Sequence, residues 1–161
     1  MKLSHFDSDG ASRMVNVGEK TPTHRQATAS GRVNMKPETI ELIRDKRIAK
    51  GDVFEVARLA GIMAAKRTDS LIPLCHGLPI EGIELSFEIE DATTIRIDAK
   101  VSTFAKTGVE MEAMVAVSTA ALTLYDMCKS VDREMVVERI QLEEKSGGNS
   151  GHFIRQTENS Q

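Results

Sequence analysis

The alternation of hydrophobic and polar residues along the chain predicts a protein built from both strands and helices. Apolar residues at every second position predict four strands, over residues 24–35, 79–91, 93–105 and 134–147. Apolar residues at helical spacing predict three helices, over residues 36–48, 52–72 and 108–131. The predicted order of elements along the chain is therefore β-α-α-β-β-α-β.

Local signals support these elements. Pro37 stands in the first turn of its predicted helix, and Asp52 is a residue type favoured at a helix N-cap. Asp91 and Ala92 form a short turn that joins two alternating strands into an antiparallel hairpin. Gly61 and the alanines around it indicate close packing against another element. Helices packed on one face of an antiparallel sheet give an α+β fold of the ferredoxin-like type.

The third predicted helix, residues 108–131, is apolar around most of its circumference. One small domain would leave part of this surface exposed, so we expect a homo-oligomer with this helix at or near an interface. The chain has 161 residues, which suits a single domain. We place this domain at residues 13–155, between a mobile N-terminus (1–12) and a flexible tail (156–161).

Composition narrows the classes of function. Aromatic residues make up 4% of the chain, Trp is absent and the net charge is −3, which argues against nucleic-acid binding. No stretch reaches the length of a membrane-spanning helix, and the N-terminus lacks an apolar signal core. Cys75 and Cys128 are far apart and form no CxxC motif, so we expect reduced thiols and a cytoplasmic location.

Four basic residues lie where an anion could bind. Lys50 precedes a glycine and a predicted helix start, and Lys106 lies between a predicted strand and helix 108–131. Lys66 and Arg67 lie where a helix is expected to end and where cations complement its dipole. Each of these residues also has a purely structural explanation, as a surface lysine or as a charge matched to a helix end.

Cys75 and His76 stand side by side in the segment LIPLCHGLPIEG, residues 71–82. A lone cysteine is most often a buried small side chain, whereas a histidine beside Gly77 and Pro79 can bind a ligand or transfer a proton. Adjacent residues of a strand point to opposite faces, which argues against a Cys-His dyad. No further ligands at suitable spacing complete a metal site, so we predict none.

Three carboxylates are candidates for chemistry. Glu110 and Glu112 are two residues apart near a helix start, so they point about 200° apart and at most one should face a given pocket directly, unless the first turn is distorted. Carboxylates are also favoured at helix N-termini for structural reasons. Asp126 and Lys129 are three residues apart near the helix end, and as neighbours they form either a surface ion pair or an acid/base pair.

Together these segments resemble the MoaC family of cyclic pyranopterin monophosphate synthases, which act in molybdenum-cofactor biosynthesis. The matching stretches are KGDVF, ARLAGIMAAKRT, LIPLCH, KTGVEMEAM, ALTLYDMCK and KSGG, and the resemblance runs from about Met14 to about Phe153. The chain departs from the family at Gly77, Asn16 and Asn149, which stand where the family has Pro, Asp and Lys. Loss of this lysine would weaken a phosphate-binding loop, and the glycine would loosen its turn.

The resemblance implies a lyase that converts 3',8-cyclo-7,8-dihydroguanosine 5'-triphosphate to cyclic pyranopterin monophosphate and releases pyrophosphate. The substrate would be made from GTP by a partner enzyme, a radical GTP cyclase. The resemblance also implies a homohexamer, a trimer of dimers with ferredoxin-like subunits. No redox cofactor is required, and an auxiliary Mg²⁺ on the triphosphate stays open.

The resemblance also implies roles for residues of this chain. Asp126 and Lys129 would form the catalytic acid/base pair, with Lys50 assisting. The substrate pocket would contain Leu74, Cys75, His76, Glu110, Met111 and Glu112, with the cysteine acting by position and not as a nucleophile. Clustered cations would bind the triphosphate, and the candidates are Lys50, Lys66, Arg67, Lys106, Lys129 and Lys145. Neighbouring cations would lower the pKa of a lysine that acts as a general base.

Helix geometry adds a hypothesis about assembly. Glu112 and Asp126 are fourteen residues apart in the sequence, which places them about 21 Å apart along one helix. One compact pocket does not span this distance, so a substrate that touches both residues would lie at a two-fold interface between subunits. Two rivals stay open here: a phosphate-ester hydrolase, which needs metal ligands that the sequence does not offer, and a binding protein without catalysis.

Overall fold

The chain forms an α+β structure around a five-stranded antiparallel sheet. The structure is a computed structural model, and it describes residues 9–156. The strands are Thr23–Asn34 (β1), Ile80–Ile89 (β2), Thr94–Ala105 (β3), Val136–Ser146 (β4) and Phe153–Ile154 (β5). The helices are Pro37–Arg44 (α1), Val53–Ala65 (α2), Thr68–Leu71 (α3) and Glu110–Cys128 (α4). The strands lie in the order β2-β3-β1-β4-β5.

The predicted order of strands and helices is confirmed, and two short elements add to it. The predicted helix 52–72 divides into α2 and α3, since Arg67 leaves the helical conformation (φ −123°, ψ 19°) between them. At the break the hydroxyl of buried Thr68 donates a 3.0 Å hydrogen bond to the Ala65 carbonyl oxygen, which satisfies an acceptor at the end of α2. β5 pairs with β4 and has two residues, too few for an alternating pattern.

Helices α2 and α4 pack against each other and against one face of the sheet. Gly61 of α2 allows this approach, because a Cβ there would lie 2.9 Å from the Ala116 carbonyl oxygen of α4. Gly31 of β1 plays the same part beneath α4, where a Cβ would lie 2.6 Å from a methyl group of Val117. The close packing predicted around Gly61 is confirmed, and the aliphatic core lies between these elements.

Most of the apolar surface of α4, which we expected a second subunit to cover, is covered within the chain itself. Ten residues of this helix are buried, because α2 and the sheet cover it within one chain. Leu122 of α4 remains 62% exposed, and α2 exposes Val56, Leu59 and Met63. The homo-oligomer itself stays a prediction.

The opposite face of the sheet carries half-buried charges that pair with one another. The guanidinium of Arg32 donates to both oxygens of Glu90 (2.6 and 2.7 Å), and that of Arg96 donates to both oxygens of Asp98 (2.8 and 2.7 Å). Strand alternation separates these charges from the alanines and valines of β1 and β3 that face α4. The paired charges compensate one another and leave no unpaired cation for a ligand among these four residues.

Within residues 9–156 no helix has both the length and the apolar composition that a membrane span requires. The predicted mobile N-terminus (1–12) and flexible tail (156–161) lie mostly outside the described residues. The limits of the domain therefore stay predictions.

Candidate active site

The predicted site residues lie at the two ends of α4, a helix of 19 residues that is about 28 Å long. The C-terminal end brings together Lys50, Asp126 and Lys129. The N-terminal end brings together Leu74, Cys75, His76, Lys106, Glu110, Met111, Glu112 and Lys145. Within one chain, the predicted cations therefore fall into separate groups.

Asp126 is the centre of a charged cluster that consists of Lys50, Asp126 and Lys129. Lys129 Nζ lies 2.6 Å from Asp126 Oδ1, and Lys50 Nζ lies 3.5 Å from Asp126 Oδ2. Lys50 also donates a 2.7 Å hydrogen bond to the Asp126 carbonyl oxygen, one of the last acceptors of α4. The predicted neighbourhood of Asp126 and Lys129 is confirmed.

The loop before α2 delivers Lys50 to the charged cluster. Gly51 has a positive φ of 108°, a conformation that glycine adopts without a steric penalty, and it turns the chain between Lys50 and the helix. Asp52 then caps α2 as predicted, since its Oδ1 accepts a 3.3 Å hydrogen bond from the Glu55 amide. The capped helix start thus fixes the point from which Lys50 extends.

Charge pairing sets the protonation states in the charged cluster. The hydrogen bond from Lys129, followed by the charges of Lys129 and Lys50, lowers the pKa of Asp126. The hydrogen bond to Asp126 in turn raises the pKa of Lys129. The expectation of a lowered pKa at Lys129 is wrong for the single chain, because its nearest charged neighbour is a carboxylate. The side chains are 51% (Lys129) and 59% (Asp126) exposed, so the cluster is open to solvent.

A cavity of about 280 Å³, which we call the front cavity, lies at the N-terminal end of α4. Its lining includes all six pocket residues that the family resemblance implies, namely Leu74, Cys75, His76, Glu110, Met111 and Glu112. Three separate stretches of chain supply this lining: the segment after α3, the first turn of α4, and residues 15–20. The structure therefore assembles the implied pocket within one subunit.

The segment 72–79 forms a turn and no strand, and this changes the interpretation of Cys75 and His76. The Cys75 amide donates a 3.1 Å hydrogen bond to the Ile72 carbonyl oxygen. Because a turn does not alternate between two faces, both Cys75 and His76 line the front cavity, and the expectation of opposite faces is wrong. His76 Nε2 lies 2.8 Å from the Val15 carbonyl oxygen, which ties this turn to the N-terminal segment.

The thiol of Cys75 is suited to contact and not to attack. Burial, followed by the charges of Glu112 and Asp69, raises its pKa. A thiol with a raised pKa stays protonated at neutral pH and is a poor nucleophile. The implied role of Cys75, contact by position, agrees with this environment.

A larger cavity of about 670 Å³ adjoins the front cavity, and we call it the basic cavity because Lys20, Arg25 and Lys106 line it. Lys106 Nζ donates a 2.6 Å hydrogen bond to a backbone carbonyl oxygen, that of Gly18. Arg25 donates to the carbonyl oxygens of Ala105 and Lys106, both at 3.3 Å. Carbonyl groups hold these two cations in place without neutralising their charge. Glu19 and Glu110 also line the cavity, so its three cations exceed its carboxylates by one and leave it a net attraction for an anion.

Sequence reasoning missed part of the basic cavity. Gly147 and Gly148 have positive φ values of 96° and 71°, and a Cβ on Gly148 would overlap the Arg25 guanidinium, which explains the glycines of KSGG. Thr23 also lines the cavity, and its Oγ1 is a buried polar atom without a hydrogen-bond partner among the described residues. Spacing could not reveal Thr23 or Arg25, because they reach this place through the pairing of β1 with β3.

The loop after β4 forms one rim of the basic cavity. Lys145 Nζ donates to Ser150 Oγ and lies 3.5 Å from Glu110 Oε1. Lys145 therefore contacts two residues that line the cavity, although it does not line the cavity itself. Asn149, which stands where the resemblance expects a lysine, also lines the cavity. This position therefore contributes an amide and no charge to the rim.

A third cavity of about 310 Å³ lies on the other side of Glu112 and His76, and we call it the rear cavity. Lys66 and Gly77 are part of its lining, as is Asp69. Lys66 is thus separated from the basic cavity by the wall that Glu112 forms. Arg67 lines none of these three cavities.

Glu112 is 4% exposed and forms part of the wall between the front and rear cavities. Burial raises its pKa to about 7; a hydrogen bond from its own backbone amide lowers the pKa in part, and the charges of Glu110 and Asp69 raise it further. Glu110 also lines the front cavity, so both glutamates reach one pocket, the case that we expected only where the first turn departs from regular helical projection. Glu110 is the first residue of α4, and its carboxyl group folds back over Gly108, where a helical projection no longer applies.

Comparison with known proteins identifies the family. The MoaC family matches residues 14–148. A cyclic pyranopterin monophosphate synthase of Desulfitobacterium hafniense is 58% identical over 156 residues, 97% of this chain and 96% of the relative. A protein of the same name from Heliobacterium modesticaldum is 57% identical over 96% of this chain and 98% of the relative. Another from Magnetococcus marinus is 57% identical over 95% of this chain and 94% of the relative. The chain belongs to the MoaC family.

Proposed function

We propose that the chain is a cyclic pyranopterin monophosphate synthase of molybdenum-cofactor biosynthesis. It would act as a lyase that converts 3',8-cyclo-7,8-dihydroguanosine 5'-triphosphate to cyclic pyranopterin monophosphate and pyrophosphate. The observation that carries this proposal is that the six implied pocket residues line one cavity directly beside a basic cavity. The relatives that bear this name are 57–58% identical to the chain over nearly its whole length.

The two adjoining cavities suit the two parts of such a substrate. Phosphate oxygens accept hydrogen bonds from cations and backbone amides, which the basic cavity offers through Lys20, Arg25, Lys106 and its glycine loop. The unpartnered hydroxyl of Thr23 supplies one further group for the same purpose. The front cavity is smaller and mixes apolar with polar side chains, as a site for a heterocycle does.

The catalytic acid/base pair would come from a neighbouring subunit. Asp126 lies about 21 Å along α4 from Glu112, Lys129 follows just after the end of this helix, and both are exposed in the single chain. We place the charged cluster of one subunit, with Lys50, over the front cavity of its neighbour. The expected assembly is a homohexamer, a trimer of dimers.

The order of the first four strands supports ferredoxin-like subunits for this assembly. Across the sheet they run β4-β1-β3-β2, with helices between β1 and β2 and between β3 and β4. Right-handed crossovers in this order place both helical connections on one side of the sheet, and α2 and α4 pack against each other there.

Docking of the charged cluster would also prepare Lys129 for proton transfer. A neighbour's Lys20, Arg25 and Lys106 would bring positive charge toward Lys129, which lowers the pKa of an ammonium group. Asp126 would then hold Lys129 in position and exchange protons with it during ring opening and rearrangement. These steps move protons and form a cyclic phosphate, so they require no redox cofactor.

The setting of the reaction follows from the resemblance. A radical GTP cyclase would supply the substrate in the cytoplasm, and Mg²⁺ could accompany the triphosphate. Within residues 9–156 no group of three or more His, Cys, Asp or Glu side chains is arranged to hold a metal ion. A metal-dependent phosphate-ester hydrolase, the rival enzyme, therefore has no supporting site in the described part of the chain.

Incubation of the purified protein with 3',8-cyclo-7,8-dihydroguanosine 5'-triphosphate tests the proposal. We expect one pyrophosphate to be released for each pterin product formed. Chromatography measures the pterin product, and a coupled assay measures the pyrophosphate. The variant Arg47→Gln, which removes an exposed charge outside all three cavities, should behave like the wild type. Release of orthophosphate would point to a hydrolase, and a bound but unchanged ligand would point to a binding protein; either result overturns the proposal.

A further inference from the structure

The described part of the chain buries two carboxylate side chains, Glu112 and Asp132, and the fold explains one of them. Asp132 accepts hydrogen bonds from the amides of Lys36 (2.8 Å) and Glu134 (3.1 Å) and from the hydroxyl of Thr39 (3.3 Å). Burial alone would raise the pKa of Asp132, but these hydrogen bonds outweigh it and lower the pKa. Asp132 is therefore a structural carboxylate that joins α1 to the segment after α4.

Glu112 is buried to a similar extent in a contrasting environment. The charges that act on its carboxyl group are those of two other carboxylates, Glu110 and Asp69, and both favour the protonated form. Two cavities meet at this side chain, the front cavity on one side and the rear cavity on the other. Glu112 accepts one hydrogen bond, from its own backbone amide in the first turn of α4, whereas three donors from two segments hold Asp132, and this one bond does not outweigh the burial of Glu112.

We propose that Glu112 is a proton-transfer residue of the reaction, a buried acid that serves the front cavity and exchanges its proton with solvent through the rear cavity. This inference rests on the proposed function, because it requires the substrate ring in the front cavity. A proton leaves the Glu112 carboxyl for the substrate atom that gains it. The carboxylate that remains takes a proton from solvent in the rear cavity, and the proton that the substrate loses passes to the Asp126 and Lys129 pair and on to solvent, so the protons balance and Glu112 returns to its acid form.

Asp69 and Gly77 shape the rear side of this route. A Cβ at position 77 would lie 3.0 Å from Asp69 Oδ2, so the glycine leaves room for the Asp69 carboxylate in the rear cavity. Asp69 is also exposed, and it therefore links the cavity lining to solvent. The departure of Gly77 from the family pattern thus has a physical consequence, since it permits a carboxylate close behind Glu112.

The charged and titratable groups around Glu112 determine how its proton responds to pH. They come from α4, from α3, from the end of α2, from the turn 72–79 and from the N-terminal segment, and they are Glu110, Asp69, Lys66, Cys75, His76 and Lys20. Burial is the largest cause of the raised pKa, Glu110 contributes more than Asp69, and the resulting value of about 7 suits a general acid at neutral pH.

Carbon-13 NMR of the full-length protein, labelled at the glutamate side-chain carboxyl, tests the protonation of Glu112. Its resonance is assigned by its disappearance in Glu112→Gln, and we expect a titration midpoint near pH 7. The midpoint should fall most in Glu110→Gln, less in Asp69→Asn, and not at all in Glu41→Gln, an exposed residue of α1 outside all three cavities. A midpoint near 4.5 in the wild type overturns the inference. No shift in Asp69→Asn overturns the route through the rear cavity.

Kinetics separate this inference from the proposed function. We expect Glu112→Gln to lower kcat about 100-fold or more, the usual contribution of a general acid, with pyrophosphate affinity unchanged. In the wild type kcat should fall as pH rises through about 7, and Asp69→Asn should move this fall to lower pH. Wild-type turnover in Glu112→Gln overturns the role of Glu112 and leaves the proposed function intact. A wild type that forms no product overturns both.

Discussion

The two ends of α4 hold carboxyl groups in opposite environments. Asp126, at the C-terminal end, is exposed between two lysines that lower its pKa, whereas Glu112, at the N-terminal end, is buried beside like charges with a pKa of about 7. The exposed group is held ionised, and its chemistry depends on a change of surroundings. The buried group gains and loses its proton near neutral pH. The two carboxyl groups therefore differ in the charge that they carry near neutral pH.

This difference also separates the contribution to function from the contribution to stability. Exposed ion pairs such as that of Asp126 and Lys129 add little to the free energy of unfolding, because water screens them. A buried, unpaired acid such as Glu112 lowers the stability of the fold whenever the solvent is at neutral pH. Substitutions at the exposed end should therefore change turnover and leave stability unchanged, whereas substitutions at the buried end should also change the free energy of unfolding.

The largest effect is expected for Lys129→Ala at the exposed end. Loss of a general base or acid lowers turnover by roughly 100-fold to 10,000-fold, so we expect pyrophosphate release to slow about 1,000-fold. The thermal unfolding midpoint should change little, because the Lys129 side chain is half exposed. Lys36→Ala is the matched control, since it removes another exposed lysine paired with a carboxylate, Glu134 at 2.8 Å. Turnover above a tenth of the wild-type rate would remove Lys129 from the mechanism.

The second effect concerns whether both ends of α4 act in one site. Chains with Asp126→Asn and chains with His76→Ala, co-expressed with different tags and purified through both, should regain activity from two inactive parents. If each site takes its charged cluster from one subunit and its front cavity from the next, random pairing restores about a quarter of the sites. Co-expression of Asp126→Asn with Lys129→Ala is the control, because both changes fall on the same half-site and no pairing repairs it. Equal activity in the two mixtures would place the whole site within one chain.

The success of sequence reasoning differs between the two ends for a physical reason. The neighbourhood of Asp126 and Lys129 follows from helix periodicity, and the hairpin of β2 and β3 follows from strand alternation, so both are local properties. Arg25 and Asp69 reach their cavities through strand pairing and through a turn, which no spacing rule encodes. The pKa of Lys129 was misjudged because the nearest charge in space decides its direction, and that charge is Asp126.

A third, smaller effect is expected on stability at the buried end. The pKa of Glu112 is raised in the folded chain, so the unfolded chain loses this proton first as pH rises from about 4.5 to about 7. The folded state then binds more protons, and the free energy of unfolding falls across this window by about 2 kcal/mol, allowing for partial solvation. Glu112→Gln should remove this fall. Urea unfolding should show the variant about 2 kcal/mol more stable at pH 8 and no different at pH 4.

Asp132→Asn provides the opposite case for the same measurement. The lowered pKa of Asp132 contributes stability that is present above its ordinary pKa and is lost as pH falls through the folded value. The variant should therefore be less stable than the wild type at pH 8, with a smaller difference in acid. If both substitutions lower stability at pH 8, Glu112 is a structural carboxylate like Asp132.

The smallest effects are expected in the basic cavity, where binding alone is at stake. Arg25→Gln should weaken pyrophosphate binding about tenfold in calorimetry, since a hydrogen bond from a charged donor contributes roughly 1.5–3 kcal/mol and part of the site remains. Arg47→Gln removes the same charge outside the cavities and should leave the affinity unchanged. Thr23→Val should weaken binding about threefold while it stabilises the free protein slightly, because the buried hydroxyl lacks a partner there. Equal affinities in Arg25→Gln and Arg47→Gln would show that the phosphates bind outside the basic cavity. The exposed lysines of the charged cluster would then be the alternative phosphate site.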